Sequence, residues 1–286
     1  MEDGVLSSLH YLFADIIGDD DDVAPGLPDD VPDGTAAIVS AGIDRLIDYQ
    51  STSYAQLYVE RLRRFAGRPG VDAAMFGEIA QLMAMRMSYE DPIRIAQLKL
   101  TGRQPGGDRR KFRIDELIGA LPAVIAEPVI DLLDRLNWAH APVSIRYSAA
   151  GRWGIRRLKI EAGLKRWRLF SVRYARERVW VERWLHMIDR SLAKQPAAAL
   201  AVVQTAAMIQ GYGHVYRQGL ADWHAIIDGL VKPTFDGVLP LTDLAGAIAE
   251  ARGAVQSDRR QIALKHRIAE IRARAQSATE PANTAA

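Results

Sequence analysis

The sequence predicts a mostly α-helical protein, an irregular multi-helix bundle with at most one small β element. Three observations predict it. Apolar residues recur at three- and four-residue steps through most of the chain beyond residue 35, the spacing that gathers them on one helix face. Glycine and proline interrupt those runs at helix-sized intervals. Only "APVSIRYSAAGRW" alternates like a strand, through Val143, Ile145 and Tyr147, and one short strand can pair only locally. No repeat at a solenoid period is present.

Taken in order, "MEDGVLSSLHYLFADII" at residues 1–17 is a short amphipathic helix candidate. Asp19 to Gly34 is acidic and carries Pro25, Pro28 and Pro32, so residues 1–34 read as a short helix plus a linker. The main helical domain is expected over 35–232. Its first helix, "TAAIVSAGIDRLIDYQ", can place Ile38, Ile43, Leu46 and Ile47 on one face. Ser51 or Ser53 then caps a helix with the stripe Tyr54, Leu57, Tyr58, Leu62 and Phe65, stopped by Gly67. Val71 to Met87 carries a Met-rich stripe that reads as adaptable core. Pro92 opens the next helix at its first turn.

"TGRQPGGDRRKFR" reads as a basic, glycine-containing loop, and it lacks the Lys-Ser or Lys-Thr of a phosphate-binding loop. Helices are expected around Asp115–Leu121 and Ala126–Leu136, punctuated by Pro122 and Pro128, and then over Ile155–Leu169 and Val172–Ala193. Pro196 begins a helix running to Gly211. After the turn "GYGH" a further helix extends to a break at Pro233–Pro240. Residues 233–286 read as that linker, a polar C-terminal helix or helix pair and a disordered tail.

Composition narrows the function classes. The chain is 286 residues long, 49% hydrophobic and 25% charged, which is ordinary for a globular protein. It has no apolar run of membrane-spanning length and no secretion signal, and with no cysteine it reads as cytoplasmic. The missing cysteines also mean that these residues supply no thiolate to an iron–sulfur cluster and no cysteine nucleophile. Residues 1–34 hold ten acids and no Lys or Arg, whereas residues 151–190 hold twelve Lys or Arg against four acids. Such blocks are most often a solvated tail and a solvated helix face.

Motifs for chemistry are sparse. The six histidines are scattered, with no HExxH pair, so no metal site is expected. "GYGHVYRQG" contains Gly-x-Gly but follows a helix, which fails the context of a dinucleotide fold. The basic segment interleaves arginine with Trp153, Trp167, Trp180 and Trp184, a pattern that could meet phosphates and stack bases. Its periodicity instead lines up Trp180, Trp184 and Met187 as a buried edge, and nucleic acid is not the expected partner. "SYEDPIRIAQLK" gathers Tyr89, Glu90, Asp91, Arg94 and Lys99 at a helix start. Acids there favour the helix dipole; the sharper alternative is a buried or interfacial ion-pair network.

Three stretches in order, "AGIDRLIDYQSTSYAQLYVERL", "MSYEDPIRIAQLK" and "IQGYGHVYRQGL", with "GLKRWRLFSVRYARERVWVERWL" between the last two, carry a resemblance. Together, over about Thr35 to Lys232, they resemble the helical C-terminal region of indolepyruvate ferredoxin oxidoreductase beta subunits, in the 2-oxoacid:ferredoxin oxidoreductase family. The resemblance implies a system in which an aryl 2-oxoacid is decarboxylated on thiamine diphosphate and electrons pass through iron–sulfur clusters to ferredoxin. The family's gamma-type catalytic domain, a GDG thiamine signature and every cysteine have no counterpart in this sequence. The expectation is therefore an accessory or assembly component that binds no cofactor alone. Thiamine diphosphate and clusters would sit on partner chains, the other oxidoreductase subunits, with no membrane involved.

The resemblance assigns no catalytic residue. Its matching positions Tyr89, Glu90, Asp91, Arg94 and Lys99, and Gly211, Tyr212, Gly213 and His214, are candidate interaction sites, with Arg217 beside them. Two alternatives stay open on the residues. One is an independent enzyme with a pocket near Tyr89, Glu90 and His214, and the other is a basic helical module for nucleic acid or CoA-like anions.

Overall fold

The computed structural model describes residues 23–102, 109–146, 155–156, 159–160, 163–255 and 260–277. The expected helix at 1–17, the "GDDDD" run, residues 103–108 and the tail from 278 lie outside the described residues. Among the described residues the fold is mostly helical with one two-stranded sheet, in line with the predicted helical class. The chain falls into two compact units, one from Met1–Arg68 and Met83–Trp180, the other from Pro69–Leu82 and Val181–Ala286.

In the first unit, α1 (Ala36–Tyr49) buries Val39, Gly42, Ile43, Leu46 and Tyr49. Ile38, expected on this face, is exposed; Val39 takes its place because it lies four residues before Ile43 and seven before Leu46. Gly42 is needed where α1 meets α2 (Thr52–Arg63), since a Cβ there would meet Tyr58 Oη at 2.5 Å. Ser51 caps α2, accepting from Tyr54 N–H at 3.2 Å, and the stripe Tyr54, Leu57, Tyr58, Leu62 and Phe65 is buried as expected. Helix α3 (Ala73–Met87), whose residues up to Leu82 belong to the second unit, leads to α4 (Pro92–Leu100), which begins at Pro92 with Asp91 as its cap.

The expected loop before the strand is partly a strand itself. Arg109–Arg113 forms β1 and pairs antiparallel with β2 (Pro142–Arg146), Lys111 opposite Ser144. Between them lie α5 (Ile114–Ile118) and α6 (Ala123–Arg135). Pro122 precedes α6 as expected, but Pro128 sits inside it. Val124 and Pro128 are both on the exposed side, so the carbonyl that the missing N–H leaves unbonded lies towards solvent.

The helix expected over Ile155–Leu169 ends instead as a 3₁₀ turn, Leu164–Phe170. Ser171 tightens it. Its N–H and its Oγ both donate to Arg168 O, at 3.0 and 2.6 Å, while Oγ accepts from Tyr174 N–H at 3.1 Å. That serine opens α7 (Val172–Lys194).

In the second unit the helix expected from Pro196 to Gly211 is α-helical only over α8 (Ala199–Gln204), with 3₁₀ turns at Pro196–Ala198 and Thr205–Met208. Side chains compete for its carbonyls: Trp184 Nε1 donates to Val202 O and Val203 O, and Thr205 Oγ1 donates to Val202 O at 2.7 Å. The chain turns at Gly211 (φ +66°) and resumes as α9 (Gly213–Ile226), whose Trp223 is buried and donates to Thr205 Oγ1.

A π-helical turn, Ile227–Val231, continues into α10 (Lys232–Phe235). The expected break at Pro233–Pro240 begins late: helical geometry runs through Pro233 to Phe235, and residues 236–243 are non-helical before the next helix. Pro233 has no N–H to give to Gly229 O four residues back, and Arg272 Nη1 takes that carbonyl at 2.8 Å. Helices α11 (Leu244–Gly253) and α12 (Ile262–Ser277), the helix-pair form of the C-terminal expectation, complete the unit.

Candidate functional site

Three stretches distant in sequence meet in the first unit. The end of α1 supplies Tyr49 and Gln50, the link before α4 supplies Tyr89 and Asp91, and the 3₁₀ turn supplies Arg168. Arg168 is 1% exposed and Asp91 2%. The guanidinium grips the carboxylate with two bonds, Nε to Oδ2 at 2.7 Å and Nη2 to Oδ1 at 3.2 Å. Its Nη1 donates to Tyr49 O at 2.8 Å and Gln50 Oε1 at 3.1 Å. Asp91 Oδ1 also accepts from Arg94 N–H at 2.6 Å, so one carboxylate caps a helix and neutralises a buried arginine.

Aromatic rings enclose the pair. The Arg168 Cζ lies 4.0 Å from the Tyr49 ring centroid, a cation–π contact, and Tyr49 meets Tyr89 edge-on and Tyr54 at a tilt. Tyr54 Oη donates to Met87 O at 2.9 Å. From the first turns of α7, Arg173 lies over the Tyr89 ring and 3.6 Å from Glu177, whose other oxygen accepts from Trp180 Nε1. Arg94 bonds Asp48 at 3.0 Å at the edge.

Burial works against the charge on Arg168. The Asp91 carboxylate, with Tyr49 and Tyr89, more than reverses that penalty and raises its pKa above the ordinary arginine value. Burial likewise raises the phenols of Tyr49, Tyr54 and Tyr89, so all three stay neutral. Tyr49 Oη and Tyr89 Oη have no hydrogen-bond partner among the described residues. An Asp–Arg pair this fully bonded is a clamp rather than an acid, base or nucleophile.

The buried ion-pair network, the sharper alternative for "SYEDPIRIAQLK", is therefore what surrounds Asp91. Tyr89, Asp91 and Arg94 are buried, while Glu90 and Lys99 are half-buried. Arg168, the central group, was not among the expected site residues. It is one of twelve bases within residues 151–190, and nothing local marks it. Tyr54 was readable only as core, while Arg173, Tyr174 and Glu177 lay within a face expected to be solvated.

The "GYGH" corner belongs to the second unit. Gly211 and His214 are exposed, Tyr212 and Arg217 half-buried, and Gly213 buried with φ +61°. Tyr212 is the extended residue before α9. The corner is tightly packed at Gly219, where a Cβ would meet Met208 O at 2.3 Å. Tyr89 and Glu90 lie in the first unit and His214 in the second.

A second polar cluster lies in that unit. Arg183 pairs with Asp228 in the π turn, its Nη1 is 3.2 Å from His224 Nδ1, and its Cζ is 5.8 Å from the Trp223 ring centroid. Burial, then the Arg183 charge, hold the His224 imidazole below its ordinary pKa, against the pull of Asp228. Trp180 and Trp184 are buried and donate hydrogen bonds inward, so neither ring is open to stack a base. Among the described residues no group of three or more His, Asp or Glu is arranged to hold a metal, and no helix is long and apolar enough to cross a membrane.

The model of a family of unknown function (DUF6537) matches residues 35–229, more than half of the chain. No curated protein and no solved structure matches it.

Proposed function

With membership of the DUF6537 family, to which this chain belongs, as the premise, we propose that it is an accessory or assembly component of an indolepyruvate oxidoreductase-like, 2-oxoacid:ferredoxin oxidoreductase complex. It docks to partner chains that hold thiamine diphosphate and iron–sulfur clusters, and it works in the cytoplasm. One observation carries the reading. The first two stretches of the resemblance and the basic segment supply the partners of a single buried clamp, Tyr49, Gln50 and Tyr54 with Tyr89 and Asp91, and Arg168. Side chains fixed in that way hold a scaffold together and leave its surface for partners. The resemblance and this internal clamp together support a structural component over a catalyst.

The test is co-purification of the tagged full chain at endogenous level. The expected result is recovery of 2-oxoacid oxidoreductase subunits that retain thiamine diphosphate. Recovery of the chain without any such subunit, from cells in which that enzyme is active, overturns the reading.

A further inference from the structure

Three bases of α7 tie it to the helical run that begins at Gly213 in the second unit. Arg183 bonds Asp228, Arg190 bonds Asp236 at 2.8 Å, and Lys194 donates to Phe235 O. At roughly 100° per residue, steps of seven and four keep the three on one side of α7. Arg183 and Arg190 also lie over rings of that run, Trp223 and Phe235. Two positions seven apart on α7 thus meet two that are eight apart on the run. The π turn at Ile227–Val231 absorbs the difference, because its hydrogen bonds span one residue more than α-helical ones.

The Arg183 tie alone contains a histidine. Arg183 Nη1 lies 3.2 Å from His224 Nδ1, and a guanidinium only donates, so Nδ1 accepts and the ring proton sits on Nε2. A proton taken from solvent by Nδ1 removes that acceptor and sets an imidazolium against the guanidinium. Asp228 is close to the new N–H, its Oδ2 lying 3.8 Å from Nδ1. We infer that His224 is a proton-operated release for this tie: once Nδ1 is protonated, the imidazolium takes Asp228 and Arg183 turns out to solvent. The way out is open, since the Arg183 side chain is already 28% exposed.

The charges that bear on the imidazole are Arg183, from α7, and Asp228, from the π turn. Trp223, on the same helix, meets it edge-on. Helices α11 and α12 also pack on α9, but their charges are engaged elsewhere: Glu250 with Arg274, Glu270 with His266, and Arg272 with Gly229 O. The 3₁₀ turn Thr205–Met208 carries no charge. Burial and the Arg183 charge hold His224 below 6.5, so the release lies on the acid side of that value. The Arg190 tie stays shut there, because bonds from Lys232 and Arg190 hold Asp236 below the ordinary carboxylate range.

This inference does not rest on the identity of the complex proposed above. Nitrogen NMR of the labelled full chain tests it. At pH 7.5 the His224 Nδ1 carries no proton, and the two Nη of Arg183 give separate signals because the ion pair stops the guanidinium from rotating. As pH falls through the His224 midpoint, Nδ1 gains its proton and the two Arg183 signals merge into one, while those of Arg190 stay separate. In His224→Gln, which cannot take up the proton, the Arg183 signals stay separate from pH 7.5 to pH 5.

A proton on Nδ1 at pH 7.5 overturns the proposal, as do Arg183 signals already merged at that pH. So do Arg183 signals that stay separate after His224 is protonated, or that merge equally in His224→Gln. Merging of the Arg190 signals at the same midpoint overturns it too, since acid would then loosen the whole face of α7 and not one tie.

Discussion

Two arginines in this protein sit in nearly the same company and do different work. Arg168 bonds Asp91 and stacks on Tyr49; Arg183 bonds Asp228 and lies beside Trp223. The first pair is sealed from water, while Asp228 is about half exposed. A desolvated charge has no solvent to fall back on, so its partners become obligatory, whereas a solvated charge can trade its partner for water. The same residue types therefore make a clamp in one unit and an adjustable surface group in the other.

The sharpest way to break this contrast is Arg168→Met. It strands the Asp91 carboxylate in the interior and is expected to cost about 3–5 kcal/mol, read as a lowered urea midpoint. Asp91→Asn keeps the helix cap but removes the charge, and is expected to be similarly damaging because Arg168 is then uncompensated. A loss under about 1 kcal/mol for both would mean that the pair is as dispensable as a surface one.

Gly219→Ala comes next and tests the second unit without touching a charge. The new methyl would press on Met208 O, a backbone atom, and a loss of about 1–3 kcal/mol is expected in thermal or urea unfolding.

A tyrosine pair then separates bonded from unbonded hydroxyls within the first unit. Tyr54→Phe removes the bond to Met87 O and should cost about 1 kcal/mol. Tyr49→Phe deletes a buried hydroxyl that has no partner among the described residues and should be neutral or stabilising. If the two variants shift the unfolding midpoint equally, the difference in bonding is not what matters.

The smallest effect is expected at Arg183. Arg183→Ala should change stability by about 0–1 kcal/mol, since its partner is exposed. It should nevertheless raise the His224 pKa, because the Arg183 charge helps to depress it, and an NMR titration of the imidazole reads that shift directly. The sign for stability follows from the depressed pKa. The unfolded chain takes up a proton below pH 6.5 that the folded chain resists. His224 therefore contributes its full share above pH 6.5, and that share is lost as pH falls through the folded pKa. Arg183→Ala should make the loss smaller.

Much of the fold was legible. Ser51, the Asp91–Pro92 start, the stripe from Tyr54 to Phe65 and the Gly211 turn all act within one helical turn of themselves, so local reading placed them. The misplacements share the opposite character. Pro233 remains inside a helical run because Arg272, 39 positions on, takes the carbonyl it leaves open. The segment at 109–113 is a strand because residues 142–146 lie beside it.

The candidate site divides in the same way. Sequence by itself determined the helical class, most helix starts and the gathering of Tyr89, Asp91 and Arg94 at one of them, because propensity, capping and periodicity are short-range. Tertiary structure alone decided that Arg168, rather than any neighbouring base, is the partner of Asp91, 77 positions away. It also decided which face of α6 is left bare. Both outcomes depend on which surfaces exclude water from one another, and desolvation is set by contacts between distant segments rather than by the residues on either side.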